Sequence, residues 1–161
     1  MVHNLKNSLV LPLSIITPID IGRIIREVED LKIYVEQVNL RKEDLKMPKF
    51  SRLLDNLVEL NNLKLNNKSN LDDLLVNINN IKLKSPVVHV SFSVDPSVLF
   101  LERITAWFRQ EIHPTLLLTI GLQPTIGAGL IVRTNNKYFD FSLRQQLVLA
   151  RKNFVKIIEA V

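Results

Sequence analysis

The sequence has no cysteine. That excludes disulfide bridges, thiolate metal centres and a cysteine nucleophile, and it removes the staple on which small secreted domains usually depend. Aromatic residues make up only 6% of the chain, so any core must be built mainly from Leu, Ile and Val. No apolar run approaches the roughly 20 residues needed to cross a bilayer. The opening stretch, MVHNLKNSLVLPLSIITP, has one lysine and a short apolar run interrupted by Pro12. It lacks a small-residue cleavage site and the Arg/Ser richness of a transit peptide, so the chain is expected to stay where it is made.

A concentration of charge is also missing. The net charge is +5, but residues 1–85 carry 13 basic against 11 acidic side chains and residues 86–161 carry 8 against 5. A nucleic-acid binder gathers Lys and Arg on one face or tail, whereas this excess is spread over both halves. It reads as a solubility feature with some attraction for acidic partners. The 161 residues, 47% hydrophobic and 23% charged, suit one medium domain or two small ones sharing an interface.

What is present divides near Pro86. Thr17-Pro18 with Asp20 supplies a cap, a first-turn proline and an acid at the third position. Ile21, Ile24, Ile25, Val28, Leu31, Val35 and Val38 then recur at helical spacing. Pro48 is read as opening a second helix with Phe50, Leu53, Leu54, Leu57, Leu60 and Leu63. Ser69 with Asp72 resembles a capping box ahead of Leu71, Leu74, Leu75, Ile78 and Ile81. Three amphipathic helices of this kind make a small bundle. The dense asparagines of NNLKLNNKSN and NINN cost helix propensity and are read as compositional bias. Packing against something else then matters more to this half.

After Ser85-Pro86 the texture changes. VVHVSFSV is β-branched and alternating, which predicts a strand. Asp95-Pro96 is read as capping a helix that carries Val98, Leu99, Ile104, Trp107, Phe108 and Ile112 on one side, with Trp107 as a core anchor. His113-Pro114 stops it, and TLLLTIGL is a second strand. GLIVRT and KYFDF flank Asn135-Asn136, a two-residue hairpin turn. A closing helix is expected over residues 142–161. The predicted fold class is therefore α+β, with a helical bundle over residues 1–85 and a β-α-β-β-α sheet domain over 86–161.

The stretch QPTIGAGLIVRTNNKYFDFSLRQQL is the one that invites a chemical reading. Its glycines are followed by no Lys-Ser/Thr, so it is no P-loop, and a strand follows Gly129 where a dinucleotide site needs a helix. A bend or a close strand approach is the reading that remains. Asp140 and Ser142 would need one of His3, His89 or His113 to build a nucleophilic triad, and no nucleophile-elbow motif is present. The plainer role has Asp140 or Ser142 capping the closing helix, with Arg144 one turn from Asp140. In the closing helix, Leu143, Leu147, Ala150, Phe154, Ile157 and Val161 form a near-heptad seam. Val148, Val155 and Ile158 widen it, and Arg151, Lys152 and Lys156 lie beside it. One sheet face does not need so wide a stripe, so the helix is either internal core or a docking surface.

Taken in order, these residues resemble the C-terminal domain of the delta subunit of F-type ATP synthases, the oligomycin sensitivity-conferring protein family. That family shows Asp-Pro-Ser-Leu-x-Gly-Gly, an apolar strand ending in Arg, a short turn, then Asp-Gly-Ser-x-Arg-x-x-Leu and a terminal helix. Here Pro124 and Thr125 stand at the Pro-Ser positions, and Ala128 and Gly129 at the double glycine. Arg133 ends the strand, and Asp140, Ser142, Arg144 and Leu147 fall in register with the last motif. The likeness covers roughly residues 86–161. Gln123 replaces the family's Asp, Ala128 its first glycine and Phe141 the glycine before Ser142. The N-terminal half has room for three or four helices where the family has six.

The resemblance implies a subunit with no catalytic residue, cofactor or metal. It would tie the catalytic head of a proton-translocating synthase to its peripheral stalk, at the cytoplasmic face of a bacterial plasma membrane. The implied partners are the head's alpha subunits and the stalk's b subunit, with no nucleic acid. For the head, the expected contacts are Ile24, Val28 and Leu31, lining a groove for a short amphipathic helix. For the stalk, they are Arg151, Lys152, Phe154 and Ile158. A basic nucleic-acid-binding module is the alternative, resting on pI alone, and a small hydrolase using Asp140 and Ser142 comes third.

Overall fold

The computed structural model describes residues 9–41, 48–134 and 136–143. The elements run α1 (Pro18–Arg41), α2 (Arg52–Asn61), α3 (Lys68–Lys84), β1 (Val87–Phe92), α4 (Val98–Glu111), β2 (Leu117–Leu122), β3 (Gly129–Arg133) and β4 (Tyr138–Ser142). The fold is α+β, helical first and then built on a four-stranded sheet. The chain groups into two compact units, Met1–Pro86 with Glu102–Leu117, and Val87–Leu101 with Leu118–Val161. The boundary near Pro86 is where the sequence texture changes. The second crossing is unforeseen, because it falls inside α4 and gives most of that helix to the helical unit.

In the helical unit α1 starts where its cap says it should. Asp20 N donates to Thr17 Oγ1 at 3.2 Å, and Thr17 N and Oγ1 each donate to Asp20 Oδ2 at 2.8 Å. These are reciprocal bonds that satisfy orphan donors of the first turn. All seven apolar positions of the predicted stripe, Ile21 through Val38, are buried. The helix packs against α2 and α3, and surface pairs Lys32–Asp72 and Lys68–Glu36 join its second half to the start of α3. α3 therefore runs back along α1.

Two expected helix starts are corrected. Pro48 does not open α2. The cap is Ser51, whose Oγ accepts from Leu54 N at 3.3 Å and donates to Glu27 at 2.6 Å. α2 then buries only Leu54 and Leu57, while Leu60 is exposed. Ser69 does not cap α3 either, because the helix begins at Lys68 after Asn67 and Asp72 faces Lys32 instead.

The asparagines of NNLKLNNKSN also have positions that composition alone does not explain. Asn62 ends α2 in the left-handed region, φ 50°, with its N–H on Glu59 O and that of Leu63 on Val58 O. Asparagine tolerates that conformation better than most side chains. Asn70 donates to Lys64 O, closing the loop between α2 and α3.

The sheet order is β2-β1-β3-β4. β1 pairs antiparallel with β3, and β3 with β4. Leu117 N on Pro86 O and Gln123 N on Phe92 O keep one offset between β2 and β1, which makes that pair parallel. Along β1, Val88, Val90 and Phe92 are buried and His89 is exposed, the alternation the sequence predicts. Phe100 meets Phe92 edge-on at 5.9 Å. β4 differs, since its residues Tyr138 to Phe141 are all exposed.

Of the face expected to be buried on α4, only Phe108 is. Val98, Leu99, Trp107 and Ile112 are exposed, at 55–70% of their surface, and the buried residues are Thr105, Phe108 and Arg109. Trp107 is thus no core anchor. It lies edge-on against Phe108 at 5.0 Å.

Candidate functional site

The stretch from Pro124 to Ser142 folds as a turn and a hairpin. Pro124 opens a single 3-10 turn, Pro124–Ile126. Beyond it Gly129 and Ser142 are direct cross-strand partners, followed by Leu130 with Phe141 and Ile131 with Asp140. The two halves of the motif, 11 residues apart from Gly129 to Asp140, therefore meet in the hairpin. Gly129 has φ +96°, and a Cβ there would overlap the carbonyl oxygen of Phe141 and come within 2.9 Å of Ser142 Cα. Only glycine fits, because both backbone conformation and strand spacing exclude a side chain. Ala128 takes the neighbouring role with its backbone, its carbonyl accepting from Leu143 N at 2.9 Å.

Asp140 Oδ1 accepts from Ser142 N at 2.8 Å, a local Asx-type bond that bends the chain as it leaves β4. Arg133, at the other end of β3, stacks its guanidinium over the Tyr138 ring, 5.5 Å from the centroid. The hairpin is closed by Thr134 N on Lys137 O at 2.9 Å and Lys137 N on Thr134 Oγ1 at 3.0 Å. Arg144, Leu147, Arg151, Lys152, Phe154 and Ile158 lie outside the described residues, as does the closing helix to which they were assigned.

A nucleophilic site is not assembled at Ser142 by His89. Ser142 lies opposite Gly129, and His89 opposite Arg133. Four residues of strand separate those positions, about 13 Å at the usual rise. His113 Nδ1 is occupied by Thr115, through its N–H at 3.2 Å and its hydroxyl at 3.0 Å. Among the described residues no group of three His, Asp or Glu side chains could hold a metal ion.

In the helical unit the expected head contacts need correction. Ile24, Val28 and Leu31 are 1%, 0% and 3% exposed; the stripe they form is filled by the unit's own packing. Accessible apolar surface of the unit includes that around a strap formed by residues 9–17. Two grooves flank it. One, about 860 Å³, is lined by Leu9, Val10, Leu60, Leu63 and Val76 with Asp73 at its edge. The other, about 620 Å³, is lined by Leu11, Leu13 and Leu60 with Glu59 and Glu102.

The strap is held by side chains that the sequence did not single out. Asn61 pairs with Val10 as a strand would, Nδ2 donating to its carbonyl at 2.9 Å and Oδ1 accepting from its N–H at 2.8 Å. Asn56 Nδ2 donates to Ser14 Oγ at 3.0 Å. Arg109 reaches in from α4: Nη1 donates to Leu11 O at 3.1 Å and Pro12 O at 3.0 Å, and Nη2 donates to Ile15 O. Its Nε donates to Leu116 O at 3.1 Å. Burial pushes the Arg109 guanidinium below the usual arginine range, to about 10, which leaves it charged at neutral pH. The only signal available beforehand was spacing, since Thr105, Phe108 and Arg109 share one helical stripe.

No protein-family model matches the chain, and no curated protein matches it significantly.

Proposed function

We propose that this chain is a non-catalytic connector in the stator of an F-type ATP synthase, joining the catalytic head to the peripheral stalk. The observation that carries this reading is the β3–β4 hairpin. It pairs Gly129 with Ser142 across a gap that admits no side chain, with Arg133 and Asp140 on the same two strands. The pattern by which the sequence resembles the delta-subunit family thus coincides with a geometric requirement. The order of elements, a helical unit followed by β-α-β-β-β, supports it as well. A stator connector works by holding two partners at once, and a chain with two compact units gains from that through effective concentration. The head would use the helical unit and the stalk the C-terminal unit.

The test is co-purification. The full chain, tagged in its own cell and extracted gently with the membrane fraction, is expected to bring down head alpha subunits and the stalk b subunit in a fixed ratio. Recovery of the tagged chain without synthase subunits overturns the proposal. A hydrolytic activity lost in Ser142→Ala would overturn it too, in favour of an enzyme.

A further inference from the structure

We propose that the 9–17 strap and the end of α4 form one latch, closed by Arg109, so that releasing either releases both. Arg109 is a buried cation, and among the described residues its acceptors are backbone carbonyls, with no carboxylate. Three of the four, from Leu11, Pro12 and Ile15, belong to the strap. The fourth, Leu116 O, belongs to the loop that follows α4. A charged group in a low-dielectric site is tolerated only while its donors are satisfied. If the strap lifts, the guanidinium keeps one carbonyl out of four and must follow the strap toward water. It then abandons Leu116, and the loop loses one of its ties to α4, keeping His113 N on Phe108 O at 3.4 Å.

That loop is itself a small network adjoining the same contact. Ser85 Oγ donates to Thr115 Oγ1 at 2.8 Å, Thr115 is bonded to His113, and Leu116 N donates to His113 O at 3.0 Å. The outer side of the strap offers handles, because Val10 and Leu13 are 56% and 43% exposed. Anything that grips the strap therefore acts on the end of α4 through one side chain. The strap is a conformational device of the helical unit, and not a dispensable leader to α1.

Hydrogen exchange on the full chain tests this, with the perturbation placed on the strap and the reading taken at α4. Asn61→Ala removes the two bonds to Val10, together with a bond to Leu57 O inside α2, and touches neither Arg109 nor the loop. It is expected to speed exchange at Val10 and Ile15, and also at Leu116 and Ile112, by roughly tenfold. The amides of Val28 and Ile78, in the core of the unit, stay unchanged. Arg109→Gln is expected to speed the same four positions. Faster exchange at Val10 and Ile15 with Leu116 and Ile112 unmoved in Asn61→Ala overturns the latch. Acceleration at Val28 and Ile78 to the same extent overturns it as well, since the strap would then open only with the whole unit. Should Arg109→Gln fail to fold, Asn61→Ala decides alone.

Discussion

The helical unit and the sheet unit spend their apolar residues differently. α1 buries seven Ile, Leu and Val side chains completely or nearly so, and α2 and α3 add Leu54, Leu57, Leu71, Leu74 and Ile78. In the sheet unit β1 buries Val88 and Val90 and β3 buries Ile131 and Val132, but β4 leaves Tyr138, Phe139 and Phe141 at 54%, 43% and 60% exposure. Phe139 and Phe141 stack on each other, 6.2 Å apart, on one side of the strand. Stability in the first unit comes from volume filled, and a lost methylene is felt. In the hairpin it comes from backbone fit, where one glycine matters more than the large rings beside it. Removing side chains of equal size from the two units should therefore have unequal effects.

The largest effect is expected from Leu31→Ala, which leaves a cavity in the α1 stripe and should cost about 3 kcal/mol. Thermal unfolding reads it, together with affinity for the catalytic head. A lost affinity with no lost stability would return Leu31 to the role of a surface contact and break the comparison. Gly129→Val comes next, at about 2 kcal/mol from the positive φ and more from the overlap with Phe141. Backbone exchange should rise in β3 and β4 and remain unchanged in α1 and α3. A smaller effect of opposite sign is expected for Asn62→Gly, because glycine adopts the left-handed cap without a Cβ penalty; a gain of roughly 0.5 kcal/mol is the measure.

Phe141→Ser should move the unfolding midpoint hardly at all, within about 0.5 kcal/mol, despite removing a whole ring. A large loss would show that the ring carries the sheet unit and that the contrast with α1 is mistaken. Smallest of all is Lys68→Ala. The hydrogen bond and charge of Glu36 raise the Lys68 pKa, so the pair's contribution is complete below the ordinary lysine range. It disappears as pH rises through the raised value. Lys68 is exposed and screened by salt, and no change in midpoint is expected at physiological ionic strength.

How much of this could be read beforehand depended on whether a residue's role was set by its neighbours in sequence. α1 was legible in full, because Thr17, Pro18 and Asp20 fix its start locally and seven apolar residues keep the period. The alternation of β1 and the hairpin around Asn135-Asn136 were legible for the same reason. α4 was not. Six apolar residues suggested one face, yet of them burial selected only Phe108, with Thr105 and Arg109 beside it, because the carbonyls that satisfy Arg109 come from residues 11, 12, 15 and 116. Distant partners of that kind leave no periodic trace. Asn61 was missed likewise, its partner being Val10, 51 residues away. At the candidate site a bend or a close strand approach was visible at the glycines, but the pairing of Gly129 with Ser142 and the Phe141 carbonyl against it were not. The placement of Ile24, Val28 and Leu31 as contacts failed because an amphipathic stripe looks the same whether the chain or a partner covers it.

The crossing inside α4 has a consequence for how such a chain can be inherited. A unit assembled from Met1–Pro86 and Glu102–Leu117 has no single cut site at which it can be excised, duplicated or traded. A recombination event at Pro86 would deliver a helical half missing Arg109 and a sheet half carrying a helix whose buried face belonged elsewhere. Shuffling by a single internal cut, open to beads-on-a-string proteins, is closed to a unit divided in this way. The two segments of the helical unit are bound to evolve together, since drift at residues 11, 12 and 15 is answered at Arg109 in α4.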